Sequence, residues 1–293
     1  MTSWGAKKMI KTFLIDPDKE ELTELAAKLE VEKGVLLSAL DENALSRIHF
    51  NKITALYVNI PFETMKANQS VYQTSPVGMF LIGENFVMIS KQEYPLMDKI
   101  KNDEVFKELH GMDILLYSLY DISLTYLNFL KEFYEKIEIL ERQLRKNLSN
   151  NGIFQLMEYQ RSLTDLTTSI GGIKRLLAKI DDKKFSFFEE NLLEDAIVVA
   201  EQATEMAHIY SEDLDSLMDA FGSVISNNVN QVMKILTSLT LIIAIPTLVA
   251  GIYGMNVHNL PLAEQPYAFW AIMGGSVVFS VALGIVFYFK KML

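Results

Sequence analysis

The sequence predicts an α+β cytosolic domain followed by long helices and a C-terminal two-helix transmembrane hairpin. Three observations carry this. Two apolar runs, Ile235 to Tyr253 and Tyr267 to Phe289, each reach the roughly 20 residues that a helix rising about 1.5 Å per residue needs to cross a hydrocarbon layer. Residues 112–148 contain no Pro or Gly and keep an apolar stripe at helical spacing. Upstream, several short β-type runs alternate with turn signals.

Residues 1–110 read as a mixed α/β unit. Met9 to Ile15 is a short apolar run ended by Asp16-Pro17. Leu22, Leu25, Ala26 and Leu29 share one face of a helix over Glu20 to Leu29, and Gly34 to Leu45 suggests a second short helix. Strands are expected at Ala55–Ile60, Val71–Thr74, Val77–Ile82 and Phe86–Ser90, with Gly83-Glu84-Asn85 turning the last two into a hairpin. Glu104 to Leu109 reads as helical.

Residues 111–185 read as two antiparallel long helices. The first carries Leu116, Leu119, Leu127, Leu130, Phe133, Ile137, Leu140 and Leu144 on one stripe and is broken by Asn150-Asn151-Gly152. The second runs from about Ile153 to Ile180 and ends at Asp181 to Lys184. Residues 186–254 form a third helix, starting near Phe188, with no stop signal before the membrane; Gly222 is its one weak point. If continuous, it is a rod of about 90 Å that becomes the first span. A loop over 255–266, a second span over 267–289 and a basic tail over 290–293 complete the chain.

Lys234 precedes the first span, Lys290 and Lys291 follow the second, and the loop has no Lys or Arg. The positive-inside rule places both termini in the cytoplasm and the loop outside. Tyr253, Tyr267, Trp270 and Tyr288 sit where spans end. Pro246, inside the first span, is tolerable if a neighbour satisfies the carbonyl it frees. The first residues do not resemble a signal peptide. Zero cysteines excludes disulfides and thiolate metal sites. Net charge is −10; only one of 37 acids and three of 27 bases lie beyond Asn230, so the upstream part carries −12. Such a field disfavours nucleic acid and raises the local concentration of cations.

Counting back from the loop in steps of three or four gives Gly254, Gly251, Thr247, Ala244, Thr240, Thr237, Met233, Asn230, Ser226, Ser223 and Asp219 on one seam. Small and hydroxylated residues on a seam have two explanations. One is close helix packing. The other is a pore wall, with Met233 and nearby Leu236 as an apolar constriction. One helix cannot enclose a conduit, so the pore reading requires an oligomer with its axis along the seam.

Gly254-Met255-Asn256 after Tyr253, at the outer end of the first of two C-terminal spans, resembles the signature of the CorA family of magnesium transport proteins, as do the flanking Ala250-Gly251-Ile252 and the Lys290-Lys291 ending. The resemblance is specific over about 219–293 and architectural upstream. It implies a CorA-like funnel, a homopentamer in the cell membrane, with five first spans lining a conduit for Mg2+. It implies that Asn256 holds a hydrated divalent cation at the outer mouth, with Gly254 and Met255 shaping the loop. Thr247 matches a polar pore site, Met233 and Leu236 the constriction, and Asn230 and Asp219 polar rings below it. Asp195 matches one acid of a cytosolic regulatory magnesium site. Two departures stand out. Glu264 is the loop's one acid, behind seven uncharged residues from Val257 to Ala263, which predicts weak electrostatic recruitment. Ala244 stands where a bulkier residue is expected, which predicts a shorter constriction.

His49, His110, His208 and His258 lack metal-ligand spacing, although His258 sits two residues past Asn256, where it bears on ion entry. Gly171-Gly172 lacks the context of a phosphate loop. No catalytic constellation is present in the pattern, so no enzyme is expected. Two alternatives stay open: a zinc, cobalt or nickel transporter of the same build, and a membrane-anchored scaffold or sensor.

Overall fold

A computed structural model describes residues 9–42, 44–66, 69–109, 111–183, 185, 187, 191–256, 260–262 and 265–292. The chain divides into two units, Met1–Leu217 and Met218–Leu293.

The first unit is built on a five-stranded sheet in the order β1-β5-β4-β3-β2. Its strands are β1 (Ile10–Ile15), β2 (Arg47–Phe50), β3 (Thr54–Lys66), β4 (Gln69–Ile82) and β5 (Asn85–Ser90). β1 pairs with β5 in parallel and the other neighbours are antiparallel. β4 and β5 are joined through Gly83-Glu84, with Ile82 opposite Asn85. Gly83 takes φ +58°, the left-handed value that a tight hairpin demands. Side chains alternate across the pleat. Ala55, Tyr57, Phe80, Val87 and Ile89 face Leu22 and Ala26 of α1 (Lys19–Lys28), Leu36 of α2 (Lys33–Leu37) and Ala39 of a 3-10 turn at Ser38–Leu40. Gly78 permits that approach, since a Cβ there would lie 2.4 Å from the Ala39 Cβ. α1 starts with a capping box, in which the Asp18 carboxylate accepts from the Glu20 and Glu21 amides and Glu21 reaches back to the Asp18 N–H.

The opposite face of the sheet is covered by α5 (Met112–Lys146) and α6 (Asn150–Asp181). All eight apolar residues of the expected α5 stripe are buried. The Tyr126 hydroxyl donates to the Asn59 carbonyl at 2.8 Å, pinning α5 to β3. In the chain, α3 (Pro95–Asn102) and α4 (Glu104–Glu108) connect β5 to α5. The Lys11 ammonium donates to the carbonyls of Ile100 and Phe106, one from each short helix.

Several expectations are corrected. The strands expected at Val71–Thr74 and Val77–Ile82 are one, β4. Pro76 does not break it because β4 pairs with β5 only from Val77 onward, so one edge of the strand is open at Pro76 and needs no donor. β2 and α3 were not foreseen. β2 has only four residues, and α3 opens on a proline that reads as a turn but occupies the first helical turn, with Leu96, Met97 and Ile100 buried behind it. The helix expected over Gly34 to Leu45 stops at Leu40. The break placed at Asn150 to Gly152 falls at 147–149 instead: Ser149 caps α6 by accepting from the Gly152 amide at 3.2 Å, so those three residues form the first helical turn.

α7 (Leu192–Tyr253) is a single helix of 62 residues, unbroken at Gly222; the expected start near Phe188 lies outside the described residues. At 1.5 Å per residue it is about 93 Å long. In the first unit it packs through Leu192, Ala196, Ala200, Ala203, Ala207 and Leu214, all buried. It runs antiparallel to α6, with Lys174 bridging Glu201 at 3.0 Å and Gln160 donating to Asp215. Tyr134 of α5 stacks on Tyr210 at 4.0 Å and donates to Asp213 at 2.6 Å.

The second unit comprises the rest of α7 and α8 (Ala268–Phe289), two helices long and apolar enough to cross a membrane and largely exposed. Pro246 has no N–H for the carbonyl of Ile242 four residues back. The Ser280 hydroxyl of α8 donates to that carbonyl at 3.1 Å. At the other end of the pair, the buried Ser238 hydroxyl donates to the Met292 carbonyl at 3.3 Å.

Candidate functional site

Two faces of α7 decide what its seam can do. The face turned to α8 carries buried Ser238 and half-buried Ile242, Ile245 and Val249. Thr237, Thr240, Ala244, Thr247, Gly251 and Gly254 are all exposed. With each residue turning the helix by about 100°, the two sets are centred on opposite sides. The small-residue seam is therefore not how this chain packs its own two spans. It forms the floor of a shallow groove at Thr240, Ala244, Thr247 and Gly251, walled by Leu241, Leu248, Ile243 and Met255.

The hydroxyls of this groove have a defined polarity. Thr240 donates to the Leu236 carbonyl at 2.7 Å and Thr247 to the Ile243 carbonyl at 2.9 Å. Each hydroxyl proton is thus committed to the helix, and each oxygen presents lone pairs outward. One turn below, Met233 and Leu236 are 54% and 56% exposed, so large apolar side chains stand free where the constriction is expected. Asn230 is exposed, and its side chain makes no hydrogen bond among the described residues.

The helix carries the seam further than the sequence reading did. Continuing below Asp219 in steps of three and four gives Ser216, Glu212, Ile209, Glu205, Gln202, Val198 and Asp195, every one exposed. Glu205, Glu212 and Asp219 recur every seven residues, the signal that extends the seam. At about 100° per residue, the 24 positions from Asp219 back to Asp195 leave Asp195 roughly 120° round from Asp219 unless the helix supercoils. Among the described residues no group of three or more His, Asp or Glu is placed to hold a metal ion, at Asp195, at Asp219 or elsewhere.

At the upper end α7 closes tightly. The Gly254 amide donates to the Ala250 carbonyl at 2.9 Å and the Met255 amide to the Ile252 carbonyl at 3.3 Å. A Cβ on Gly254 would stand 3.2 Å from the Ala250 oxygen, so glycine suits the closing turn. Tyr253 donates its hydroxyl to the Pro261 carbonyl at 2.9 Å, tying the loop's far side to the helix end. Met255 and Asn256 are exposed just beyond it. His258 and Glu264 lie outside the described residues.

A family model described as "CorA-like Mg2+ transporter protein" matches residues 13–291. The chain belongs to this family. Among CorA relatives, the cobalt/magnesium transport protein CorA of Methanocaldococcus jannaschii is 27% identical over 287 residues, covering 94% of this chain and 88% of its own. The cobalt/magnesium transport protein CorA of Thermotoga maritima is 25% identical, over 67% of this chain and 57% of its own. The complete structure of the CorA magnesium transporter from M. jannaschii shares the fold at a TM-score of 0.78 and 24% identity, covering 98% of this chain and 92% of that one. Membership in the CorA family, with two exposed apolar helices behind a soluble unit, makes this a membrane protein.

Proposed function

We propose that this chain is a gated channel for divalent cations, chiefly magnesium, assembled as a homopentamer around the seam of α7. The observation that carries this is the exposed, uncharged, hydroxyl-bearing seam on the side of the pore helix turned away from α8. A tether needs no such seam, and the chain does not use it to pack its own spans. The naming of the curated relatives as cobalt/magnesium transport proteins supports the cargo. Cobalt enters the reading on the same ground, as a second cargo.

Magnesium dehydrates reluctantly and keeps several waters. A site for the hydrated ion must accept hydrogen bonds from those waters. Outward lone pairs at Thr240 and Thr247 do so without bearing charge. Asn256, next to Gly254 and Met255 at the upper end, offers amide carbonyls, one from each copy, to a hydrated ion at the outer mouth. Thr237, Ala244 and Asn230 continue the wall, Met233 and Leu236 narrow it, and Asp219 stands below. Both termini lie in the cytoplasm, where Asp195 senses magnesium at an interface between copies. Ion binding there biases closed over open by differential affinity.

The test is magnesium flux into liposomes holding the purified protein. Asn256→Ala abolishes flux on this reading, and undiminished flux in that variant removes the selectivity role. Raised internal magnesium slows the wild type and slows Asp195→Lys less; an identical response discards Asp195 as a sensor.

A further inference from the structure

Pro246 sits mid-span in the pore helix and leaves the Ile242 carbonyl without its helical donor. Such a carbonyl in a hydrocarbon layer must find another donor. It finds one on the other span: the Ser280 hydroxyl, buried at 6% exposure, at 3.1 Å. One turn along α8, Gly284 also lies against Ile242; a Cβ there would make ordinary contact with its side chain at 3.5 Å. Ile242 lies on the α8 side of α7, while Ala244 and Thr247, two and five residues on, lie on the seam. The proline-interrupted turn is thus tied to the neighbouring helix by the Ser280 hydroxyl.

We propose that Ser280 is a positioning residue for conduction: by supplying the donor that Pro246 removes, it sets how the α7 turn carrying Ala244 and Thr247 faces the conduit. The proposal rests on the conduit reading above. Ser280 touches no cargo and acts through the Ile242 carbonyl. Without it that carbonyl turns towards water, and the accessible water is in the conduit, so the wall rotates with it.

Pro246 makes this testable by a double-mutant cycle on the full chain. In Pro246→Ala the new amide takes the Ile242 carbonyl in the ordinary helical way, and Ser280 becomes dispensable. Magnesium flux in liposomes and unfolding in detergent are read for the wild type, S280A, S280T, P246A and the P246A/S280A pair. S280A lowers flux about threefold to tenfold, the factor that an interhelical hydrogen bond in a bilayer is worth. S280T, which keeps the hydroxyl, restores it, and in the P246A background S280A changes neither readout. Equal loss from S280A in both backgrounds, or loss in neither, overturns the proposal. Absence of flux from the wild type together with a coupled unfolding cycle overturns the conduit reading, and the positioning role with it, while the bond itself stands.

Discussion

Thr240 and Thr247 show how much one hydrogen decides. A free threonine hydroxyl can donate or accept, but here both protons are spent on carbonyls four residues back. The seam therefore offers acceptors, which suit a cation's water shell. Elsewhere a single carboxyl responds to pH. Partial burial raises Asp165 above its ordinary value of 3.8, opposed by Arg161 one turn back. A raised carboxyl favours the fold fully below the unfolded value and loses that contribution as pH climbs through the folded value. Asp165→Asn is therefore expected to raise the unfolding midpoint of the full chain in detergent at pH 7, with the gap closing as pH falls towards 4. A gap that stays constant over that range would mean that the charge is not what the site resists.

At the scale of elements, the paired glycines of α6 separate propensity from packing. Nothing but the far end of Arg175 lies near Gly171, 3.7 Å from where a Cβ would be. Gly171→Ala should thus stabilise by up to about 1 kcal/mol, the helix-propensity difference. At Gly172 a Cβ would stand 2.8 Å from the Ser46 Cβ, an atom that cannot swing away. Overpacking of about 1–3 kcal/mol outweighs the propensity gain there, so Gly172→Ala should lower the midpoint. Opposite signs at adjacent positions are the expectation; two stabilising substitutions would show that the loop bearing Ser46 yields. The Ser46 hydroxyl is buried with no partner among the described residues, another sign of this tight approach. From sequence, Gly171-Gly172 could be set aside as a phosphate loop, but its structural purpose depended on Ser46, 126 positions away along the chain.

At the scale of the whole molecule, the spans leave much apolar surface uncovered. Leu239, Leu241, Ile243 and Leu248 of α7 and Val278, Phe279 and Val281 of α8 are all exposed. Lipid can cover the apolar flanks, but it gains nothing against the hydroxyls of the seam, which call for water or other copies of the chain. Light scattering of the protein in detergent is expected to return five times the chain mass. A monomer would leave the seam with no axis to face and would sink the channel reading.

The reach of the sequence follows from the range of its physics. Span length, the stripe of α5, the helix over Glu20 to Leu29 and the turn at Gly83 are local patterns, and each reappears in the fold. The joining of two expected strands across Pro76 was not local: it depended on β5 ending opposite Val77, which only sheet pairing sets. The same holds for α7. Periodicity alone placed Thr240, Ala244 and Thr247 on one seam but left packing and pore lining equally open, because small residues serve both. The position of α8, whose Ser280 donates to the carbonyl that Pro246 frees, leaves that seam on the exposed side of α7. Spacing along a helix is written in one dimension; which side a neighbour occupies is a contact between distant residues, and tertiary structure alone decided it.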